Sequence, residues 1–381
     1  MTMHIHDVAI VGAGVAGSSL AKLLADRGLD TLLVDQKSFP RHKVCGEFLS
    51  PESRSMLESF GLDDYIQELR PASIERTRLN FSYGKALEIN LPGHAIGVSR
   101  YALDSVLHRA ATEAGAKLRT RTTVTAVTPH DYGYLIETKQ DRAEAVTIHA
   151  RAVIAAWGAA NRAGLPGRAE VEHDKEAFIG VKSHFSGIEA EPVVELYFFN
   201  GGYLGISPIE GGLVNVAALL KRKEFTHADS DKSILGWIDA CCRRNPRLAK
   251  RLTHADPVPG TQAAVAPVHL NKKPAAWNRI ARLGDASIMI PPLCGDGMSM
   301  ALRSAELCAP LAVSYLKGEM TLAQWEQQYT KAIRKDFHGP LKWGRRLQWL
   351  LGLPFLPRIM LTASPYTPGL AYKMVQATRL K

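Results

Sequence analysis

Val8 to Val11 is an unbroken apolar run set between polar residues and a glycine, the signature of a strand buried on both faces. After "GAGVAG" the spacing turns helical from Ser18 to Arg27, and a second apolar run, Thr31 to Val34, closes on Asp35. Strand, turn, helix and strand in that order predict a βαβ unit with parallel strands. Helical spacing returns at Ser50–Phe60 and Asp104–Ala114, whereas Thr120–Val127, Gly133–Thr138 and Ala145–Ile148 alternate like antiparallel strands. "RAVIAAWGA", Arg151 to Ala159, reads as another buried parallel strand. Between Phe178 and Leu220 the alternation is split by Asn200-Gly201-Gly202 and Glu210-Gly211-Gly212, which predicts an antiparallel meander. An apolar run around Ile280 ends in Gly284-Asp285, and Met298 to Tyr315 has helical spacing. The last sixty residues read as helices, with an apolar stretch, Leu347 to Leu356, broken by Pro354 and Pro357.

Composition narrows the class. At 381 residues, 46% apolar and 22% charged, the chain has room for about two or three globular cores. Its net charge of +10 comes from scattered basic residues, clustered only at Arg243-Arg244 and Arg345-Arg346. Such a distribution suits anionic small molecules or a membrane surface and argues against a nucleic-acid partner. Five irregularly spaced cysteines fit neither a disulfide framework nor a metal site, so a reducing cytoplasm and no metal are expected. The first strand opens directly after a polar start, which argues against a secretory signal, and no apolar run approaches the roughly 20 residues that span a bilayer. His4 and His6, ahead of the apolar run, are expected in solvent, and Cys241-Cys242, neighbours on a predicted helix, point in different directions.

Gly12, Gly14 and Gly17, with Ala16 in the same turn, form G-x-G-x-x-G between the first strand and its helix. Glycines here let the backbone turn tightly and approach a pyrophosphate at the helix N-terminus. Asp35 ends the second strand, where a carboxylate can accept hydrogen bonds from ribose hydroxyls and would repel a 2′-phosphate.

A second motif follows near the C-terminal side, in "ARLGDASIMIPPLCGDGMSMA", Ala281 to Ala301. The two motifs together resemble the FAD-binding pattern of the aromatic hydroxylase, flavin halogenase and geranylgeranyl reductase superfamily. That resemblance implies FAD, with Gly284-Asp285 at the ribityl chain. It also implies Pro292, Gly295, Gly297 and Met298 at the flavin pyrimidine edge, where a helix N-terminus favours negative charge. "SRYALDSVLHRAATEAGAKL" resembles the family's Arg-x-x-Leu-Asp helix and places Arg100 near the flavin or its phosphates, although Arg100 and Asp104 also have the spacing of an i,i+4 pair. In "AWGAANR", Ala156 to Arg162, Trp157 replaces the acid of the family's Asp-Gly motif, so that motif's part in nicotinamide handling does not carry over. No second G-x-G-x-x-G is present, and NADH or NADPH is expected only as a transient reductant. The implied fold is α/β: a Rossmann-like FAD-binding domain of the glutathione reductase type with an inserted antiparallel-sheet substrate domain and a helical C-terminus. The FAD-binding parts are 1–75, 99–168 and 273–320, the substrate-domain parts 76–98 and 169–272, and the helical segment 321–381.

"PRHKVCGE" resembles the Pro-Arg-x-Lys-x-Cys-Gly segment of the reductase and halogenase-like branch, which runs beside the flavin ring. The resemblance puts Arg41 at the cofactor and Cys45 and Glu47 between flavin and substrate, as the candidate catalytic pair. Arg41 and Lys43 are expected to lower the thiol pKa, with plain packing of Cys45 against the cofactor as the other reading. Three chemistries share this fold: hydroxylation through a flavin hydroperoxide, halogenation, and delivery of hydride to double bonds. The halogenase W-x-W-x-I-P segment is absent. The reductase Y-x-W-x-F-P segment appears as "YLGISP", with Gly205 and Ser207 in place of aromatics. The expectation is therefore an NAD(P)H-dependent monooxygenase of secondary metabolism acting on an aromatic or polyketide-like small molecule. The alternatives are a reductase of carbon–carbon double bonds in an isoprenoid or similar apolar substrate, and an FAD-binding redox partner without catalysis. The basic, apolar C-terminal segment is expected to cover the substrate pocket, or else to touch the inner face of a membrane.

Overall fold

A computed structural model describes residues 4–140, 145–159, 165, 177–225, 233–270, 273–351, 376 and 379–380. The expected βαβ unit is β1 (Ile5–Val11), α1 (Val15–Ala25) and β2 (Thr31–Val34), with every residue of β2 buried. Then follow β3 (Phe48–Leu49), α2 (Ser53–Ser59), α3 (Asp63–Gln67), β4 (Ala72–Asn80), β5 (Leu87–Gly97) and α4 (Arg100–Glu113). β6 (Lys117–Arg119), β7 (Thr122–His130), β8 (Gly133–Gln140) and β9 (Val146–Ala155) complete the first half. The second half opens with β10 (Phe178–Ser186), β11 (Val193–Phe199), β12 (Gly202–Pro208) and β13 (Val214–Lys221), of which β11–β13 form the expected meander while β10 pairs with β13 instead of β11, then α5 (Ile234–Arg244) and α6 (Pro246–Arg251). It ends with β14 (Asp256–Pro257), β15 (Ala263–Val268), β16 (Trp277–Asn278), β17 (Ile280–Arg282), α7 (Gly297–Leu316) and α8 (Leu322–Leu351).

Two sheets organise these elements. The first runs β16-β17-β9-β1-β2-β6, parallel from β17 to β6, with the β7–β8 hairpin joined to β9. α1, α4, α7 and α8 bury one face of it, and α8 does so through Trp325, Tyr329, Ile333, Phe337 and Leu341, spaced four apart along a single stripe. The second sheet runs β14-β10-β13-β12-β11-β4-β5-β3 and is antiparallel except where β11 meets β4. α5 and α6 close its outer face over Val181, Phe185, Val216 and Trp237.

Several expectations are corrected. The segments predicted apart at Ala145–Ile148 and Arg151–Ala159 are one strand, β9, whose outer half pairs antiparallel with β8 and whose inner half pairs parallel with β1. Its pattern changes from alternating to continuous burial because only the inner half is covered on both faces. The helix expected over Ser50–Phe60 begins only at Ser53, since Phe48 and Leu49 are drawn into the second sheet by β5. β4 enters that sheet at Ala72, ahead of the boundary drawn at residue 75. His6 is not in solvent: it lies within β1, 4% exposed, with Nδ1 2.9 Å from Asp30 Oδ2, because pairing with β9 extends β1 back to Ile5. As expected for a helical C-terminus, the described part of the last sixty residues is mainly a 30-residue helix, α8, up to Leu351, with Pro340 inside it. The remainder of the Leu347–Leu356 stretch with Pro354, the following Pro357, and residues 160–162 of "AWGAANR" lie outside the described residues.

Candidate cofactor and active site

The glycine turn after β1 is shaped by contact. Gly12 has φ 112°, and a Cβ there would run into the carbonyl of Ala156, while a Cβ on Gly17 would run into the carbonyl of Gly12. Both positions therefore exclude larger residues on packing grounds alone. Gly14 differs: it caps α1 without any side-chain hydrogen bond, and a Cβ there would meet only the Arg100 guanidinium, at 3.5 Å. An uncapped helix N-terminus beside an arginine is an anion site. Asp35, buried at the end of β2, accepts hydrogen bonds from the N–H of Ala13 at 2.9 Å and of Lys37 at 2.8 Å. Arg100 is 5% exposed and pairs with Asp104 through two hydrogen bonds of 2.9 and 2.8 Å, so the i,i+4 pair exists and is buried rather than exposed.

The second motif closes on the first. A Cβ on Gly284 would meet the Ala16 methyl at 3.3 Å, so the β17 turn lies against α1. The half-buried Asp285 makes no side-chain hydrogen bond among the described residues, which leaves its carboxylate for a ligand hydroxyl. Pro292 begins a short 3-10 turn that ends on Gly295 at φ 73°, and α7 starts at Gly297-Met298. Asp296 precedes α7 but does not cap it; its carboxylate pairs with Arg379 from the far end of the chain. Burial pushes the Asp296 carboxyl up to about 7 against the pull of Arg379. Gly12, Gly14, Ala16, Gly17, Arg100, Gly284 and Asp285 are thus brought to one place, and two uncapped helix N-termini, an unpartnered carboxylate and an arginine fit FAD. Arg41 adds a buried Nε without a hydrogen-bond partner among the described residues, its guanidinium 4.9 Å from the Phe39 ring centre.

Cys45 and Glu47 behave differently from expectation. Burial raises the Cys45 thiol above its ordinary value, and Arg100 and Lys43 do not offset it. The expected activation by Arg41 and Lys43 is therefore corrected, because desolvation of the thiolate outweighs charges set only by sequence proximity. Lys43 is itself lowered, by burial first and then by Arg100. Glu47 does not line open space. It is fully buried, and its carboxylate accepts from Lys182 Nζ at 2.8 Å and the Arg100 N–H at 2.9 Å, with His184 Nε2 at 2.6 Å. The Asn215 amide donates to the Cys45 carbonyl at 3.0 Å and fixes the loop to β13.

Sequence reasoning missed Lys182, His184, Asn215 and Arg379. A signal for the first two was present: "FIGVKSHFS" puts a lysine and a histidine two apart on a strand otherwise fit for burial, and buried charges need partners. One group of possible metal ligands occurs among the described residues, His4, His6 and Asp30, but the Lys117 ammonium already sits 2.7 Å from Asp30.

The chain is similar to menaquinone reductase of Mycolicibacterium smegmatis, 28% identical over 98% of this chain and 90% of that protein. It is also similar to digeranylgeranylglycerophospholipid reductase 1 of Methanothermobacter thermautotrophicus, 27% identical over 87% of this chain and 82% of that one. Among solved structures, the flavin-dependent brominase Bmp2 shares the fold at TM-score 0.79, with 18% identity over 98% of this chain and 93% of its own. A geranylgeranyl bacteriochlorophyll reductase-like protein of Thermoplasma acidophilum does so at 0.73, with 20% identity over 92% and 88%. Residues 6–329 match the FAD binding domain family, a span that takes in both glycine motifs and the strand carrying Lys182 and His184; the chain belongs to that family and is an FAD-dependent oxidoreductase.

Proposed function

We propose that this protein is a flavin-dependent reductase that saturates carbon–carbon double bonds in a polyprenyl-type lipid. One observation carries the reading. On the second sheet the face bearing Gly180 turns to the loop of Cys45, since a Cβ on Gly180 would meet the Val44 side chain at 2.9 Å. Leu219 and Tyr203 lie in register with Gly180 and Phe198 in register with Tyr203, and on this face they form one apolar cluster with Leu79, Phe81 and Leu293 of the cofactor turn. An isolated alkene offers no hydrogen-bonding handle, so an apolar wall continuous with the cofactor turn is what can hold it. The names of the two curated relatives denote polyprenyl-bearing lipids, which supports the same class. When bound, FAD supplies the redox chemistry; the chain's part is to bind it through the glycine turns, Asp35 and Asp285, and to shape the apolar wall.

Hydroxylation of an aromatic metabolite has one observation in its favour. Gly205 and Ser207 replace aromatics, and a Cβ at Gly205 would meet Leu196 at 3.4 Å and the Ala217 and Glu195 carbonyl oxygens at 3.9 Å, ordinary contacts, so this strand presents no bulky aromatic side chain at those two positions. Reduced, FAD-loaded enzyme incubated without oxygen with prenylated quinones and prenylated glycerolipids should yield products that gain two hydrogens per double bond. Products that gain one oxygen instead, in air and from aromatic substrates, would establish the hydroxylase reading. NADH and NADPH, offered separately in place of a chemical reductant, would identify the electron source.

A further inference from the structure

Lys182 and His184 alternate with Ser183 on β10 and so project from the same face, toward the loop of Glu47. All three side chains are buried: Lys182 and Glu47 at 0% and His184 at 3% exposure. Lys182 Nζ lies 2.8 Å from Glu47 Oε1 and 2.7 Å from His184 Nε2, and that same Nε2 lies 2.6 Å from Glu47 Oε2. One ring nitrogen carries a hydrogen or a lone pair, not both. With hydrogen on Nε2, it donates to Glu47, but the Lys182 ammonium then meets it donor against donor. Without hydrogen, it accepts from Lys182, but two acceptors then face each other at 2.6 Å. Either conflict is relieved when one proton moves, from Lys182 to His184 or on to Glu47. Burying such a cluster in low dielectric makes an unrelieved conflict costly.

The cluster has an outlet. His42 Nδ1 is 3.4 Å from Lys182 Nζ, and the half-buried ring stacks on Tyr101, which is 42% exposed. The other titratable groups around it are Arg100 and Asp104 on α4, locked to each other, with Lys43 and the neutral Cys45 thiol on the loop. Burial and the neighbouring Lys182 and His184 hold the His42 imidazole down to about 4, so it stands neutral and passes a proton inward without holding it.

We propose that Lys182, His184 and Glu47 form a buried proton relay, recharged from solvent through His42, that supplies the proton consumed in each reduction. The balance is simple. Reducing FAD by two electrons takes up one proton at the flavin, and saturating a double bond would then place a hydride from the reduced flavin on one carbon and a second proton on its neighbour. The relay gives up each of these protons and regains one from water through His42, returning to its starting charge. These residues act by positioning and passing protons. The destination of the proton rests on the reductase reading, whereas the relay itself is tested without substrate.

In FAD-loaded protein, nitrogen NMR of the histidine rings should place His184 Nε2 between the protonated and bare imidazole values. A resonance fixed at the fully protonated value would mean a static ion pair and overturn the relay. In stopped-flow photoreduction of bound FAD with a pH-indicator dye, His42→Gln should slow proton uptake about tenfold or more, and added imidazole should restore it. Uptake at the wild-type rate, or slowed without imidazole rescue, would overturn the role of His42. His42 is half-exposed, so this variant keeps the test alive should Lys182→Met fail to fold. Intact relay signals with no saturated product would place the fault in the reductase reading alone.

Discussion

Glu47 sits in the left-handed region at φ 54°, an unfavourable conformation for a non-glycine residue, and is held there by three contacts from two elements, α4 and β10. Glu47→Ala would leave Lys182 buried and unpaired, a loss expected to cost about 3–5 kcal/mol in denaturant unfolding, with Glu47→Gln milder. Burial alone would raise the Glu47 carboxyl, but the His184 hydrogen bond and the Lys182 charge hold it below its ordinary 4.5. Its contribution to stability is then full above pH 4.5 and is lost as the pH falls through the lower folded value. Asp296 has the opposite sign: raised from 3.8 to about 7, its contribution is full below 3.8 and is lost as the pH rises to about 7. Thermal melts across pH should therefore show Glu47→Gln flattening the acid limb and Asp296→Asn flattening the limb between those two values. A melt curve for Asp296→Asn parallel to wild type would show that Arg379 keeps the carboxylate charged at all these pH values.

Among the elements, the β1–α1 turn and α8 make contrasting demands on glycine. Gly14 meets nothing in the protein closer than 3.5 Å, so Gly14→Val should fold and yet purify with little flavin, as should Asp35→Ala. Flavin absorbance per protein checks this, and full occupancy in both variants would remove the turn from the cofactor site. Gly344 lies inside α8, where alanine would ordinarily stabilise a helix by about 1 kcal/mol. A Cβ there would meet Cys294 Sγ at 2.9 Å and Ile290 and Pro291 at 3.4 Å. Overpacking costs about 1–3 kcal/mol, so Gly344→Ala should lower the melting temperature and loosen flavin by displacing the Pro292–Gly295 turn.

At the scale of the molecule, the two sheets face each other across the loop of Cys45, and the C-terminal residues return to the cofactor turn through Arg379 and Asp296. No helix among the described residues is long and apolar enough to cross a membrane. We expect the C-terminal segment to act as an internal cover: deleting residues 345–381 strips Asp296 of its partner and should impair folding or turnover of a soluble substrate. A truncated protein that stays fully active, and no longer pellets with anionic vesicles as the full chain does, would make the segment a membrane anchor instead.

The nucleotide-binding half was legible because its rules are local. Gly17 answers to the Gly12 carbonyl within its own turn, although Gly12 itself also answers to the distant Ala156 carbonyl; the Thr31–Val34 run answers to burial on both faces, and Asp35 to its place at a strand end. The strands within Phe178–Leu220 were legible for the same reason, since strand alternation and Gly-Gly turns are written over a few residues, but the placing of β10 beside β13 rather than β11 was not. The Lys182–Glu47 contact joins residues 135 apart in sequence, and His184 and Glu47 are 137 apart. Their pairing depends on how the second sheet lies on the loop, which no local pattern states. The Cys45 thiol shows the same division. Neighbouring basic residues suggested a lowered pKa, but its value follows from how far the folded chain removes it from water, and desolvation is a property of the assembled tertiary structure.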